Sequence, residues 1–266
     1  MISSHLILSV YNWCVYSVSS HSFDLITTPF NCRSNEAADM MDCKTEGYIV
    51  GDLVLCIGQS AIRIGREVKS LNGKVPYFQE KVSPIFVFVD DFGISDALVK
   101  KSDYYYRYPR RCSTYFEGFS CGHHIVEYIL TILESSDTCQ AITLLYSADE
   151  GLGSGVTAFL VQYITKCLPG LVTLAVGILP HMSQGGLASV NTCLVLEQCL
   201  EFASCCLLRR MDDTTDLLSN KKPSPSSVHA SVYEDVSRCL AADILLAIRE
   251  VSRLLAIFSI ARSWLE

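Results

Sequence analysis

Asp149-Glu150-Gly151-Leu152-Gly153-Ser154-Gly155 joins an apolar, strand-like run, Ala141 to Tyr146, to a helix-like run, Val156 to Ile164. Three glycines in five positions let a backbone turn tightly enough for several N–H groups to converge on an anion. The helix that follows directs the positive end of its dipole at the same place. The stretch is therefore a candidate phosphate loop at a strand-to-helix junction. Asp149 and Glu150 oppose that reading, because two carboxylates at the mouth of an anion site repel the phosphate it should receive. Three familiar loops are excluded by spacing. A dinucleotide fingerprint needs Gly or Ala where Val156 stands, a Walker loop needs Gly-Lys-Ser/Thr, and a nucleophile elbow needs Gly in place of Leu152.

Outward from this loop, strand-like runs at 53–57, 85–90, 141–146, 171–179 and 205–208 alternate with helix-like runs. That alternation predicts an α/β fold, a three-layer Rossmann-like domain around a mainly parallel sheet. At 266 residues the chain is long enough to bury a substantial core. Its formal net charge of −7 argues against a nucleic-acid partner. The Arg107–Arg111 stretch is short, and packing explains its neighbouring tyrosines. Thirteen cysteines are scattered without a Cys-x-x-Cys pair, and His123-His124 provides no zinc-ligand pattern. An odd count around a Rossmann-like core reads as reduced thiols in the cytosol, most of them small core side chains.

Residues 1–47 read as a divergent extension, either disordered or translated from a start placed ahead of Met40 or Met41. Leu6 to Val18 is apolar, but no Lys or Arg precedes it and Asn12 interrupts it, unlike a secretory signal. Lys221 to Ser227, with Pro223 and Pro225, reads as a loop inside the domain. Asp243 to Trp264 is apolar at helical spacing but carries Arg249, Glu250, Arg253 and Arg262. It is expected to be a half-buried helix, not a membrane span.

The glycine stretch resembles the GGGTGSG signature of the tubulin/FtsZ superfamily, with Gly151, Gly153, Ser154 and Gly155 matching. Asp149 and Glu150 replace its first two glycines and Leu152 its threonine. Upstream, Gly58-Gln59-Ser60-Ala61-Ile62-Arg63-Ile64-Gly65 resembles the first nucleotide loop of tubulin, GQCGNQIG, through Gly58, Gln59, Ile64 and Gly65. Val87-Phe88-Val89-Asp90 is similar to the VFVD strand and Gly122-His123 to the GH of the next helix. Asn191 falls where tubulins carry the Asn of EPYN. Tyr233, Asp235 and Arg238 are similar to the start of the long central helix. The resemblance covers roughly residues 48–249, in the order of the family.

The resemblance implies a tubulin-type GTP-binding domain over 48–266, ending after the central helix and short of the segment that completes hydrolysis in a neighbouring subunit. It implies GTP as cofactor, with Gly58, Gln59 and Ser60 beneath the phosphates and Arg63 in place of a nucleotide-contacting Gln. Gly151, Gly153, Ser154 and Gly155 form the second phosphate loop, Asn191 contacts the nucleotide, Tyr233 stacks on guanine, and Asp235 accepts from its edge N–H groups. Departures weaken the site. Phe92 stands for a metal-side Glu, Glu117 lies near paired asparagines, and Ala188 replaces a ribose-binding Glu. Two carboxylates 4–6 Å from a triphosphate each cost on the order of 1 kcal/mol, unless Asp149 and Glu150 hold Mg²⁺. The plainer reading makes Gly151–Gly155 a tight turn kept for the fold.

Two functions follow from the resemblance. One is a divergent GTP-binding cytoskeletal protein of the cytoplasm, working in a microtubule-associated process with tubulin-family subunits or microtubule-associated proteins, and with no nucleic acid or membrane. The other is a nucleotide-free pseudo-GTPase that uses the fold as an interaction module.

Overall fold

A computed structural model of the chain describes residues 5–6, 17–18, 53–72, 84–91, 104–135, 139, 141–180, 185–210, 236–245 and 248. Six parallel strands form the body of the sheet: β3 (Leu53–Ile57), β4 (Ile85–Asp90), β5 (Tyr104–Arg107), β6 (Ala141–Ser147), β7 (Val172–Leu179) and β8 (Cys205–Arg210). Two short strands, β1 (His5–Leu6) and β2 (Ser17–Val18), pair antiparallel with each other, and Leu6 pairs parallel with Cys205 at the β8 edge. The remainder of the expected 1–47 extension lies outside the described residues.

The spatial order is β2-β1-β8-β7-β6-β3-β4-β5. From β3 the chain winds outward to β5, returns to lay β6 on the other side of β3, and winds outward again to β8. The connections therefore reverse direction between β3 and β6, the switch point at which doubly wound sheets open a crevice beyond the carboxyl ends of their strands. Register is continuous through this centre, with Leu55 paired to both Val87 and Leu144.

Helices α1 (Gln59–Asn72), α2 (Tyr115–Glu134), α3 (Gly151–Cys167) and α4 (Gly186–Phe202) connect these strands, and a fifth helix, α5, covers 236–245. Leu53, Leu55, Ile57, Val87, Leu144 and Tyr146 face a core shared with α2, α3 and α4. Val54, Cys56, Phe86 and Phe88 face the opposite core, which α1 closes with Ile62, Ile64 and Val68, and α5 with Val236, Leu240 and Ile244. Because both sheet faces are covered, β3 and β6 are buried at every residue. This is why they read as uninterrupted apolar runs. The three-layer, mainly parallel α/β architecture expected from the alternation is the one observed.

Two local outcomes differ from the sequence reading. Tyr104–Arg107, not among the expected strand-like runs, is an edge strand; its residues are half-buried or exposed, so no apolar run marked it. Tyr106 packs edge-on against Tyr108 at 5.0 Å between ring centres, in keeping with the packing explanation for these tyrosines. The glycine stretch is also helical from Gly151 onward, because the Ser154 N–H reaches the Glu150 carbonyl at 2.9 Å and closes a first turn. All ten described cysteines are free thiols, six of them buried. Among the described residues no helix is long and apolar enough to cross a membrane.

Candidate functional site

The starts of α1 and α3 flank the switch point, since α1 follows β3 and α3 follows β6. Gly58 makes the first turn possible. Its φ of +90° lies in the left-handed region, and a Cβ there would stand 2.6 Å from Glu150 Oε2 and 2.9 Å from Ser147 Oγ. The Gly58 N–H donates to the Val89 carbonyl at 3.0 Å, and its own carbonyl accepts from Ile62 N–H at 2.9 Å. This swings the N–H groups of Gln59, Ser60 and Ala61 toward the β6–α3 junction. The Gln59 N–H donates to Glu150 Oε2 at 2.8 Å and the Ala61 N–H to Ser147 Oγ at 3.1 Å.

Glu150 thus reaches across the crevice to the opposite helix. Burial is the main cause that pushes its carboxyl up to about 7, reinforced by the nearby Asp149 and Asp91 and opposed by the Gln59 and Ser60 N–H groups. Desolvation outweighs the two N–H donors here.

At α3 the glycines meet neighbouring backbone. A Cβ on Gly151 would fall 2.4 Å from Thr114 N, one on Gly153 2.2 Å from the Ser147 carbonyl oxygen, and one on Gly155 2.2 Å from the Tyr115 carbonyl oxygen. Gly118 on α2 completes the crossing, with its Cβ position 2.0 Å from the Gly151 carbonyl oxygen. The Ser154 hydroxyl donates to the Glu150 carbonyl at 2.8 Å and is fully buried.

Asn191 on α4 is a buried junction. Its Oδ1 accepts from Tyr115 N–H at 2.9 Å, and its Nδ2 donates to the Asp149 carbonyl at 2.9 Å and the Ser113 carbonyl at 3.3 Å. It ties the start of α2 and the β6–α3 loop to α4. Glu150 thus joins the loop after β6 to the start of α1, and Asn191 joins it to α4. Arg63 is exposed on α1, and Ala188 lies in the first turn of α4. Tyr233, Asp235 and Phe92 lie outside the described residues. Just beyond Asp235, α5 packs in the core that α1 closes, and Arg238 Nε stands 3.7 Å from Glu67 Oε2 on α1.

One functional pattern went unread in the sequence. Thr114-x-x-Glu117 is a capping box at the start of α2: Thr114 Oγ1 accepts from Glu117 N–H at 3.3 Å, and Glu117 Oε2 accepts from the N–H groups of Ser113 at 2.8 Å and Thr114 at 3.0 Å. These N–H donors, Thr114 first, hold the Glu117 carboxyl below its usual range. The spacing alone would have signalled it. Among the described residues no group of three His, Cys, Asp or Glu side chains is arranged to hold a metal ion.

No protein-family model matches the chain, and no curated protein matches it in sequence. Solved structures do match in fold. CetZ2 from Haloferax volcanii, in a GTPγS-bound protofilament, aligns with a TM-score of 0.60 at 15% identity, over 75% of this chain and 58% of that one. CetZ from Methanosaeta thermophila strain DSM 6194 aligns with a TM-score of 0.56 at 19% identity, over 74% of this chain and 53% of that one. The chain spans little more than half the length of either structure. At such identities the likeness is one of architecture, and it agrees with the strand order and the switch-point geometry: the chain has a tubulin/FtsZ-like fold.

Proposed function

We propose that this chain is a guanine-nucleotide-binding, tubulin-like cytoskeletal protein with a degenerate phosphate site in the crevice between β3 and β6. The observation that carries the reading is the start of α1. A left-handed Gly58 turns three consecutive N–H groups toward the switch point, the arrangement that receives a phosphate in doubly wound folds. The donor set fits a phosphate once the Glu150 side chain is withdrawn. Gly58, Gln59 and Ser60 then hold the anion beside the start of α3 at Gly151, Gly153, Ser154 and Gly155. Tyr233 and Asp235 serve the guanine, and Asn191 fixes the loops around it. Mg²⁺ would accompany the phosphates.

The CetZ2 structure is a GTPγS-bound protofilament, which supports guanine nucleotide as ligand and other tubulin-family subunits as partners; microtubule-associated proteins and a place on the cytoplasmic cytoskeleton belong to the same reading and rest on the resemblance alone. Melting temperature tests the reading, because a ligand that binds only the folded state raises it. GTP with Mg²⁺ is expected to raise it and ATP to leave it unchanged. No shift at millimolar GTP rejects the reading.

A second reading, the nucleotide-free interaction module, is favoured by one observation. Phe116 on the first turn of α2, and Leu187 and Val190 among the first five residues of α4, are more than half exposed, at the two helix starts that Asn191 joins. Exposed apolar side chains at two adjoining helix starts suit a protein partner.

A further inference from the structure

The backbone of Glu150 caps α3, yet its side chain makes no capping bond there. It spans the crevice instead, and Oε2 accepts the N–H of Gln59, a residue 91 positions away. The Ser60 N–H bonds the same carboxyl. With Ser147 Oγ on the Ala61 N–H, the first three donors of α1 are satisfied by side chains from the end of β6 and the residues after it. These are the orphan donors that an anion binds at a helix start. The sequence places Glu150 as a repelling charge at the mouth of its own loop. The geometry makes it an occupant of the other one.

We propose that Glu150 is a built-in occupant of the phosphate position at the start of α1, an autoinhibitory contact that an incoming phosphate must displace. The identity of that phosphate as part of a guanine nucleotide rests on the function proposed above. The groups acting on the carboxyl are the Gln59 and Ser60 N–H donors of α1, Asp91 after β4, and Asp149 in its own loop. Asp91 is itself engaged, its Oδ2 accepting from Cys112 N–H at 2.9 Å. Two donors attract the carboxyl while burial and two carboxylates oppose its charge. Repulsion alone and occupation differ in one respect. Repulsion disappears with the charge, whereas occupation persists for any side chain of the same shape that still accepts the Gln59 N–H.

The test compares the full chain with its Glu150→Gln and Glu150→Ala variants, following melting temperature during titration with inorganic phosphate and then with GTP. Glu150→Ala is expected to respond at phosphate concentrations at least tenfold lower than the parent, with Glu150→Gln nearer the parent. Glu150→Ser, too short to reach Gln59 but able to cap α3, replaces the alanine variant if that fails to fold. Equal responses in parent and alanine variant, or no response in either, overturn the proposal. So do glutamine and alanine variants that respond alike, because repulsion then suffices. A phosphate response without a GTP response keeps the occupant and removes guanine nucleotide as ligand. GTP binding of equal strength in all three chains does the reverse.

Discussion

The two helix starts at the switch point are built in opposite ways. α1 opens on a single glycine, and its first N–H groups face side chains across the crevice. α3 opens on three glycines, and the space where their side chains would project is filled by the backbone of α2 and the end of β6. Glycine density, which makes 149–155 look like the phosphate loop, therefore measures how closely α3 is packed. The anion-facing geometry is sharpest at the sparser loop. A helix N-terminus serves a ligand only where its donors look into a crevice, and glycine serves close packing equally well.

The largest effect should come from testing that division at α3. Gly155→Val forces a branched side chain into the Tyr115 and Phe119 backbone and should destabilise the free protein by about 3 kcal/mol or more, measured by urea denaturation. Loss of nucleotide response without loss of stability would break the comparison, since Gly155 would then serve the ligand.

An intermediate effect is expected at Glu150 and sharpens the α1 side. Its folded carboxyl titrates at about 7, above the ordinary carboxylate range, so the folded chain retains a proton that the unfolded chain releases. Its contribution is complete at low pH and lost as pH rises through 7. Between pH 5 and pH 8 the parent should lose on the order of 1–3 kcal/mol relative to Glu150→Gln, read from paired denaturation curves. A difference independent of pH would place the carboxyl in water rather than over Gln59.

The smallest effect belongs to the neighbouring helix start, whose donors are satisfied locally. Thr114→Ala removes half of the capping box and should cost about 1 kcal/mol by the same measurement. GTP or phosphate response should stay as in the parent, because α2 caps itself and leaves nothing for an anion. A change in that response would extend the site to α2.

Legibility followed burial. β3, β4 and β6 were readable to within a residue because strands covered on both faces are continuous apolar runs. β5 was hidden because an edge strand of three tyrosines and an arginine alternates in nothing. α3 was placed five residues late because its first turn consists mostly of glycines, poor helix formers that are helical here through contact with α2. The capping box at Thr114 was legible and local.

Sequence alone determined the alternation of strands and helices and the positions of both loops flanking the switch point. These depend on neighbours within one or two turns of the chain. Tertiary structure decided where the polar side chains went. Asn191 binds backbone at Ser113, Tyr115 and Asp149, and Glu150 crosses to Gln59, joining residues 42 to 91 positions apart. A side chain's reach is a few ångströms in space and unlimited in sequence, so only the folding of β6 against β3 could settle which helix the Glu150 carboxyl would serve.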